Sequence, residues 1–230
     1  MKVLELFCGT KSFTKVAEAR GHECRTLDID KRFDPTYCMD IMDFEPTILN
    51  GWHPDVIWAS PPCTAYSVAA IGKNWRKSGP LFIPISDGAK NSKNLVLRTQ
   101  SVIRRLNPAY YFIENPRGML RMMNFMRGWN RSTVTYCQYG AQTQKPTDIW
   151  NNCLDWTPKP MCRPKAPCHI AAPRGSKRGI QGIMVNGWHN QRKGWSGATA
   201  IARGIVPPQL CEEILIACES RSGKVSPDEK

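Results

Sequence analysis

The chain has 230 residues, of which 41% are hydrophobic, and a formal net charge of +13. This length suits one sizeable core, or one core with a small appended module. The excess of basic residues favours a polyanionic partner, most simply nucleic acid, and no apolar run is long enough to span a membrane.

The N-terminus and the cysteines indicate a cytoplasmic protein. Residues 1–7 contain Glu5 within a short apolar run, which does not fit a signal peptide. In a reducing compartment, the ten cysteines are expected to be catalytic, metal-bound or buried rather than paired in disulfides.

The first elements predict a strand, a glycine turn and a helix. Residues 3–7 are apolar, Gly9 lies in the turn that follows, and residues 13–20 have helical periodicity. This order opens a nucleotide-type βαβ unit, although many turns of this kind contain a glycine and bind nothing.

Acidic residues end the next two predicted strands. Asp28 lies in the strand at residues 24–30, about twenty residues after the glycine turn, where such folds hold the hydroxyls of a ribose. Asp40 lies near the end of a third strand at residues 37–41. The alternative is a pair of solvated strand ends, but the turn and Asp28 occur together, which favours a nucleotide site.

A fourth apolar strand, at residues 55–58, leads into Pro61, Pro62 and Cys63. Consecutive prolines fix the backbone and remove two amide donors, so this loop is expected to be rigid. Open α/β sheets bind their ligands at the carboxyl ends of the strands. Cys63 is therefore either a nucleophile in a sharp turn or a small packed thiol.

Residues 68–91 are rich in glycine, serine and lysine and lack apolar periodicity. We expect a long loop here, and its Lys73, Arg76 and Lys77 suggest a lid that closes over the phosphates of a substrate. Ser92 is then predicted to cap a helix that runs to residue 106.

Further alternation of short strands and helices follows up to residue 150. A strand at residues 110–113 leads into Glu114, and a short helix at 119–127 precedes strands at 133–137 and 148–150. This alternation predicts an α/β fold with a doubly wound, mostly parallel, Rossmann-like sheet.

The composition changes after residue 150. Residues 163–203 contain eight Lys or Arg and no Asp or Glu. We predict a catalytic domain at residues 1–150, a small basic recognition module at 151–197, helices that return to the core at 198–219, and a flexible tail at 220–230.

The predicted module needs a stabilising cross-link, such as a bound metal ion, if it is to be ordered. Cys153, Cys162, Cys168 and His169 are suitable ligands for a closed tetrahedral zinc site, with His189 in reserve. Independently buried thiols are the alternative. The candidate DNA contacts of the module are Arg174, Lys177, Arg178, Arg192 and Lys193.

The order of these motifs resembles the DNA cytosine-C5 methyltransferase family. Residues 4–9, Leu-Glu-Leu-Phe-Cys-Gly, look like its first AdoMet motif, and residues 60–63, Ser-Pro-Pro-Cys, look like its catalytic loop. Glu114-Asn115 looks like its Glu-Asn motif, residues 139–145 like its Gln/Arg-rich motif, and residues 206–208 like the end of its last motif. The resemblance spans nearly the whole chain.

The resemblance implies a mechanism and a cofactor. Cys63 would attack C6 of a flipped-out cytosine, so that C5 takes the methyl group of S-adenosyl-L-methionine (AdoMet), and Glu114 would hold the proton at N3. Asn115 and Lys145 would orient the base. The residues implied for the cofactor are Phe7, Gly9, Asp28, Ile29, Asp40 and Pro61.

The same resemblance implies double-stranded DNA as the partner, a short recognition site of the restriction-modification kind, and a monomer of bacterial or phage origin. Three other functions fit part of the pattern. RNA cytosine-C5 methylation shares the chemistry, amino methylation shares the Ser-Pro-Pro loop but expects an aromatic residue at Cys63, and a non-catalytic nucleic-acid binder shares the fold. The chain departs from the family at Lys11 and Ser12, where glycines are usual, and at residues 145–147, where arginines are usual.

Overall fold

The computed structural model describes residues 1–164, 166–169, 201 and 204–222. The strands in this part of the chain are β1 Lys2–Leu6, β2 Glu23–Asp28, β3 Tyr37–Cys38, β4 Val56–Ala59, β5 Trp75–Ser78, β6 Leu81–Pro84, β7 Tyr110–Pro116, β8 Arg131–Thr135 and β9 Pro146–Asn151. The helices are α1 Ser12–Ala19, α2 Ile71–Asn74, α3 Asp87–Leu106 and α4 Pro208–Ser222.

Seven strands form the central sheet, in the order β3-β2-β1-β4-β7-β9-β8. The first five are mutually parallel, whereas β9 runs antiparallel to both β7 and β8. The prediction of a doubly wound, mostly parallel sheet is therefore confirmed. Because β1, β2, β4 and β7 are parallel, their carboxyl ends meet at one edge of the sheet, which is where such folds bind ligands.

Both faces of the sheet are covered by apolar side chains. On one face, the ring of Phe13 from α1 stacks on Trp58 of β4 with centroids 4.6 Å apart, and α4 adds the buried Leu210 and Ile214. On the other face, Ile57 of β4 packs in a cluster that includes residues of α3. Strands buried on both faces read as continuous apolar runs, which explains why these segments are strongly apolar in the sequence.

The structure corrects the expected loop at residues 68–91. This stretch holds α2, the antiparallel hairpin β5–β6 and the first turn of α3. The N-cap of α3 is Ser86, whose hydroxyl accepts the amide N–H of Ala89 at 3.1 Å, and Ser92 is buried inside the helix. The polar first turn of α3 is solvated on most sides, so its sequence lacks the apolar periodicity that marks a helix.

Two other elements differ from their predicted form. Glu114 and Asn115 lie within β7 rather than after it. The helix expected at residues 119–127 is replaced by two 3₁₀ turns, Met119–Met122 and Asn124–Met126. Among the described residues, no helix has the length and apolar character that crossing a bilayer would require.

Candidate active site

The turn after β1 has an unusual backbone. Phe7, Gly9 and Lys11 all adopt positive φ angles, of 57°, 45° and 57°. For Phe7 and Lys11 this left-handed conformation is uncommon and costs free energy, so the surrounding contacts must hold it in place. Lys11 thus takes the left-handed conformation for which a glycine is the usual residue.

Asp28, at the end of β2, supports this turn. One oxygen of its carboxylate accepts the amide N–H of Gly9 at 2.9 Å, and the other accepts the amide N–H of Asp30 at 2.9 Å. Each carboxylate oxygen has a further lone pair that can accept another donor. Asp28 is therefore placed to hold the turn and a ligand hydroxyl at the same time.

Glu5 is a buried carboxyl that the sequence did not single out as a site residue. It accepts hydrogen bonds from the amide N–H and the hydroxyl of Thr14, at 2.8 and 2.5 Å, and a longer one from the amide N–H of Phe13 at 3.4 Å. These donors belong to the first turn of α1, so Glu5 satisfies amides that lack a partner inside the helix. Burial raises the pKa of Glu5 from 4.5 to about 7, against the opposing effect of the Thr14 hydrogen bonds.

The neighbouring residues fit an adenosyl cofactor. Ile29 follows Asp28 and is 68% exposed, which leaves an apolar side chain available to pack on a base. Asp40 follows β3, is only partly buried, and accepts the amide N–H of Met42 at 2.9 Å. Phe7 directly follows β1 and Asp28 is the last residue of β2, so both lie at the carboxyl ends of neighbouring parallel strands. The structure thus brings these predicted cofactor residues to the ligand-binding edge of the sheet.

The proline-cysteine loop lies at the same edge, at the end of β4. Cys63 is exposed and begins the 3₁₀ turn Thr64–Tyr66. Behind this turn, Tyr66 stacks on Trp75 with ring centroids 5.5 Å apart, and the indole N–H of Trp75 donates to the carbonyl of Ala65 at 2.9 Å. The base of the β5–β6 hairpin therefore supports the loop, a role that the sequence did not reveal.

Two close contacts join this loop to β7. The side-chain amide of Asn115 donates to the carbonyl of Pro61 at 2.9 Å. A Cβ atom added at Gly118 would lie 2.7 Å from the carbonyl oxygen of Tyr66, so only glycine allows this approach of the two backbones. The resemblance implies that Asn115 orients the base, whereas its amide nitrogen here is bonded to the loop itself.

Glu114 is buried beside Tyr136, which also contacts the partly buried Lys145. Glu114 is 5% exposed, and the hydroxyl of Tyr136 donates to its Oε1 at 2.8 Å. Burial, reinforced by the charge of Glu114, holds the pKa of Tyr136 well above its ordinary value, so this phenol remains a neutral donor. The ammonium of Lys145 lies 4.4 Å from the centre of the Tyr136 ring. Tyr136 therefore contacts both Glu114 and Lys145.

Tyr136 was missed because the sequence predicts it inside a strand. In the structure β8 ends at Thr135, and residues Tyr136–Tyr139 form a 3₁₀ turn. No local sequence signal marks the contact, since Tyr136 and Glu114 are 22 positions apart.

The candidate DNA contacts fall into two groups. Lys73 on α2 and Arg76 and Lys77 on β5 are exposed. Successive strand residues point to opposite faces, so Arg76 and Lys77 cannot lie on the same face of the hairpin. The second group lies outside the described residues, namely Arg174, Lys177, Arg178, Arg192 and Lys193, as does His189.

The predicted zinc ligands need a correction. Cys162, Cys168 and His169 do lie together, but the fourth member of the group is Cys137. The ligand atoms of these four residues all lie within 4.8 Å of one another. Cys153 is buried in the core, where its thiol is hydrogen-bonded to that of Cys218. The prediction took its ligands from the segment after residue 150, whereas Cys137 comes from the turn after β8, 25 positions before Cys162.

The nucleotide-type turn, the carboxylates at successive strand ends and the doubly wound sheet define a Rossmann-like α/β fold of the nucleotide-binding class. Residues 1–131 match the family model of the C-5 cytosine-specific DNA methylases. The chain belongs to that family, whose cofactor is AdoMet.

One relative matches nearly the whole chain, and two solved structures match part of it. A Frog virus 3 (isolate Goorha) protein named "Probable DNA (cytosine-5)-methyltransferase" is 29% identical over 222 residues, which cover 95% of this chain and 100% of the viral one. Among solved structures, an E. coli prophage protein described as a "putative DNA modification methyltransferase" gives a TM-score of 0.49 at 17% identity, and S. pombe Dnmt2 methyltransferase gives 0.45 at 17%. The alignments cover 71% and 66% of this chain but only 52% and 50% of those two chains, so this chain spans about half their length.

Proposed function

We propose that this protein transfers a methyl group from AdoMet to C5 of a cytosine in DNA. The observation that carries the proposal is the connection between the Cys63 loop and β7. The exposed Cys63 and the buried Glu114 stand at the same edge of the sheet, and the Asn115 bond to Pro61 and the close approach at Gly118 hold their two segments together. A nucleophile and an acid held by one framework suit covalent catalysis on a base.

The roles of the protein side chains follow from the chemistry of cytosine. C5 is a weak nucleophile until a thiolate adds to C6, so Cys63 supplies the sulfur that forms this bond. Glu114 holds a proton at N3, and Tyr136 fixes the Glu114 carboxyl by donating to one of its oxygens. After the methyl transfer, loss of the C5 proton lets the C6–sulfur bond break and returns the Cys63 thiolate.

AdoMet, when bound, supplies the methyl group as an electrophile. Asp28 and Asp40 would bind its polar atoms, and Ile29 would pack on its adenine, while Phe7, Gly9 and Pro61 line the same edge. The ammonium of Lys11 donates a hydrogen bond to the backbone carbonyl of Asp34, so the Lys11 side chain reaches from the turn after β1 to Asp34.

DNA is the proposed substrate, because the family is named for it and the chain carries a net charge of +13. The target base must leave the duplex, and the hairpin β5–β6 with Lys73 and Arg76 lies next to the Cys63 loop, where it can contact the strand around the flipped base. We further propose residues 151–197 as the recognition module. A monomeric state and a cytoplasmic location stay predictions, and the viral relative supports an origin in a virus or phage.

Zinc is a separate proposal, because no step of the methyl transfer needs a metal. Its supported ligand set is Cys137, Cys162, Cys168 and His169.

Methyl transfer from labelled AdoMet to a random-sequence DNA duplex tests the proposal, with tRNA as the second substrate. We expect label in DNA, and bisulfite sequencing of the product would give the recognition site. Cys63→Ser should lower the rate by about 10³-fold or more, because the covalent step is lost. Cys38→Ser is the matched control, since Cys38 is also exposed and lies at the carboxyl end of a parallel strand of the same sheet.

Three outcomes would contradict the proposal in different ways. Label in tRNA alone would make the protein an RNA methyltransferase. Full activity of Cys63→Ser would indicate amino methylation, which needs no thiolate. Salt-sensitive DNA binding without any transfer would indicate a non-catalytic binder.

A further inference from the structure

Three sulfurs and one imidazole nitrogen meet beside the end of β8. The Sγ atom of Cys137 lies 3.1 Å from that of Cys162 and 3.7 Å from that of Cys168. The Nδ1 atom of His169 lies 3.6 Å from the sulfur of Cys162 and 3.6 Å from that of Cys168. These four residues, here called the Cys-His cluster, come from two separate parts of the chain.

Three of the distances between these atoms match a tetrahedral zinc site. Zinc–sulfur bonds of about 2.3 Å and zinc–nitrogen bonds of about 2.05 Å, set at the tetrahedral angle, put two sulfurs about 3.8 Å apart and a sulfur about 3.6 Å from a nitrogen. The Cys137–Cys168 distance of 3.7 Å and both distances of 3.6 Å from His169 agree with these values. The 3.1 Å pair is closer than a bound ion would set it, and is well beyond the bond length of a disulfide, about 2.05 Å.

Two side-chain amides already donate to the sulfurs of the cluster. Nε2 of Gln138 lies 3.3 Å from the sulfur of Cys168, and Nε2 of Gln144 lies 3.1 Å from the sulfur of Cys162. Donors of this kind stabilise a thiolate and orient it, as the outer partners of metal ligands do. Two such donors around one group of thiols favour ligation over the alternative of separately packed cysteines.

We propose that the Cys-His cluster binds one structural Zn²⁺ through Cys137, Cys162, Cys168 and His169. Binding converts the three thiols to thiolates and releases their protons, while His169 binds through its neutral ring. All four positions around the ion are then filled by protein, which is the arrangement of a structural site and leaves no place for a catalytic water.

The site would join the recognition segment to the catalytic sheet. Cys137 follows directly after Tyr136, which holds Glu114. On the other side, the amide N–H of Cys162 donates to the hydroxyl of Thr135 at 3.0 Å, and that of Lys159 donates to the hydroxyl of Tyr139 at 2.8 Å. The ion would thus lock a chain segment that is already hydrogen-bonded to the turn Tyr136–Tyr139, and His169 stands immediately before the basic residues of the predicted module.

Metal analysis of the protein purified without chelator tests the proposal independently of any methyl transfer. We expect one zinc ion per chain, and the absorption spectrum of a tetrahedral thiolate site after exchange for Co²⁺. Cys137→Ser and Cys168→Ser should each lose the ion, and Cys168 is exposed, so its variant is expected to remain folded. Cys153→Ser is the matched control and should keep the ion, because Cys153 lies in the core beside Cys218.

Limited digestion with trypsin gives a second readout. Between Cys162 and Cys168 the enzyme can cleave only after Lys165, because Arg163 is followed by proline. Zinc should slow this cleavage by about tenfold or more, and a chelator should restore it, because local opening must precede cleavage. A metal-free protein that takes up no added zinc would overturn the proposal. So would loss of metal from Cys153→Ser but not from Cys137→Ser, or a Cys137–Cys162 disulfide in the digested protein.

Discussion

The half of the sheet formed by β3, β2, β1 and β4 differs from the half formed by β7, β9 and β8 in how its site residues are held. In the first half the key bonds are short in sequence: Glu5 bonds to Thr14 nine positions on, and Asp28 bonds to Gly9 nineteen positions back. In the second half Asn115 reaches back 54 positions to Pro61, and Tyr136 reaches back 22 to Glu114. The cofactor residues are thus held by bonds within the single unit β1–α1–β2, whereas Glu114 and Asn115 of the second, catalytic half are held by bonds to other segments, the turn after β8 and the loop after β4.

The largest expected effect is a pH dependence of the folding stability, and it tests the unit β1–α1–β2 through Glu5. The folded state raises the pKa of Glu5 from 4.5 to about 7, so it binds more protons than the unfolded state in this range. The stability that Glu5 contributes is therefore present in full below about pH 4.5 and is lost as the pH rises through about 7, a change of about 3 kcal/mol. Glu5→Gln should not show this loss, because its amide does not ionise.

The measurement is the free energy of unfolding in urea at pH 5 and pH 8, for the native protein and for Glu5→Gln. We expect the difference between the two proteins to change by about 2.5 kcal/mol between these pH values, because part of the full change lies below pH 5. Glu18→Gln, on an exposed position of α1, is the control and should change little. An equal pH dependence in native protein and Glu5→Gln would show that Glu5 is ionised throughout, held by its hydrogen bonds with Phe13 and Thr14.

The second effect tests the packing that unites the catalytic half. Gly118→Ala places a Cβ 2.7 Å from the carbonyl oxygen of Tyr66, so one of the two backbones must move. The Cys63 loop should shift relative to Glu114, and misplacement of a reacting group by about 1 Å can cost about 10²-fold in rate. We expect methyl transfer to fall by about that factor while the affinity for AdoMet, measured by calorimetry, is unchanged.

Gly72→Ala is the control for this change. Gly72 lies on α2 in the segment that follows the Cys63 loop, and a Cβ there meets nothing within 4 Å. Loss of AdoMet affinity in Gly118→Ala would argue that the two halves are coupled more tightly than their contacts indicate. An unchanged rate would show that the close contact at Gly118 does not position Cys63.

The contrast between the halves also explains what could be predicted from the sequence. The turn at Gly9, the acid at Asp28 and the rigid loop at Cys63 have local signals, since each is a strand end followed by residues that constrain the backbone. The doubly wound, mostly parallel sheet follows from the alternation of such elements. The hairpin β5–β6 was not predicted, because β5 carries exposed arginine, lysine and serine, and β6 is a run of only four residues that ends in proline.

The partners of the catalytic residues could not be predicted for a different reason. The bonds from Tyr136 to Glu114 and from Asn115 to Pro61 depend on the register of β7, β9 and the turn after β8, which no local pattern encodes. The same reason explains the exchange of Cys153 for Cys137. Both cysteines are buried and follow a strand, and only the position of the turn Tyr136–Tyr139 relative to residues 162–169 selects between them.

The smallest effect isolates one long-range bond of the catalytic half. Tyr136→Phe removes the hydroxyl that donates to Glu114 and leaves the ring under Lys145 in place. A hydrogen bond to a charged group contributes about 1.5–3 kcal/mol, but part of this is recovered if Glu114 finds another donor, so we expect kcat to fall by about tenfold. The KM for AdoMet should stay constant, because the cofactor residues lie on the other half of the sheet.

Tyr139→Phe is the matched control for this variant. Tyr139 is buried in the same turn, but its hydroxyl donates to Glu213 on α4 at 3.0 Å rather than to Glu114. Both changes should lower the stability, while only Tyr136→Phe should lower kcat. Equal losses of kcat in the two variants would mean that the turn acts through its general packing. In that case the catalytic half would be held by the whole turn, and Tyr136 would have no separate role in positioning Glu114.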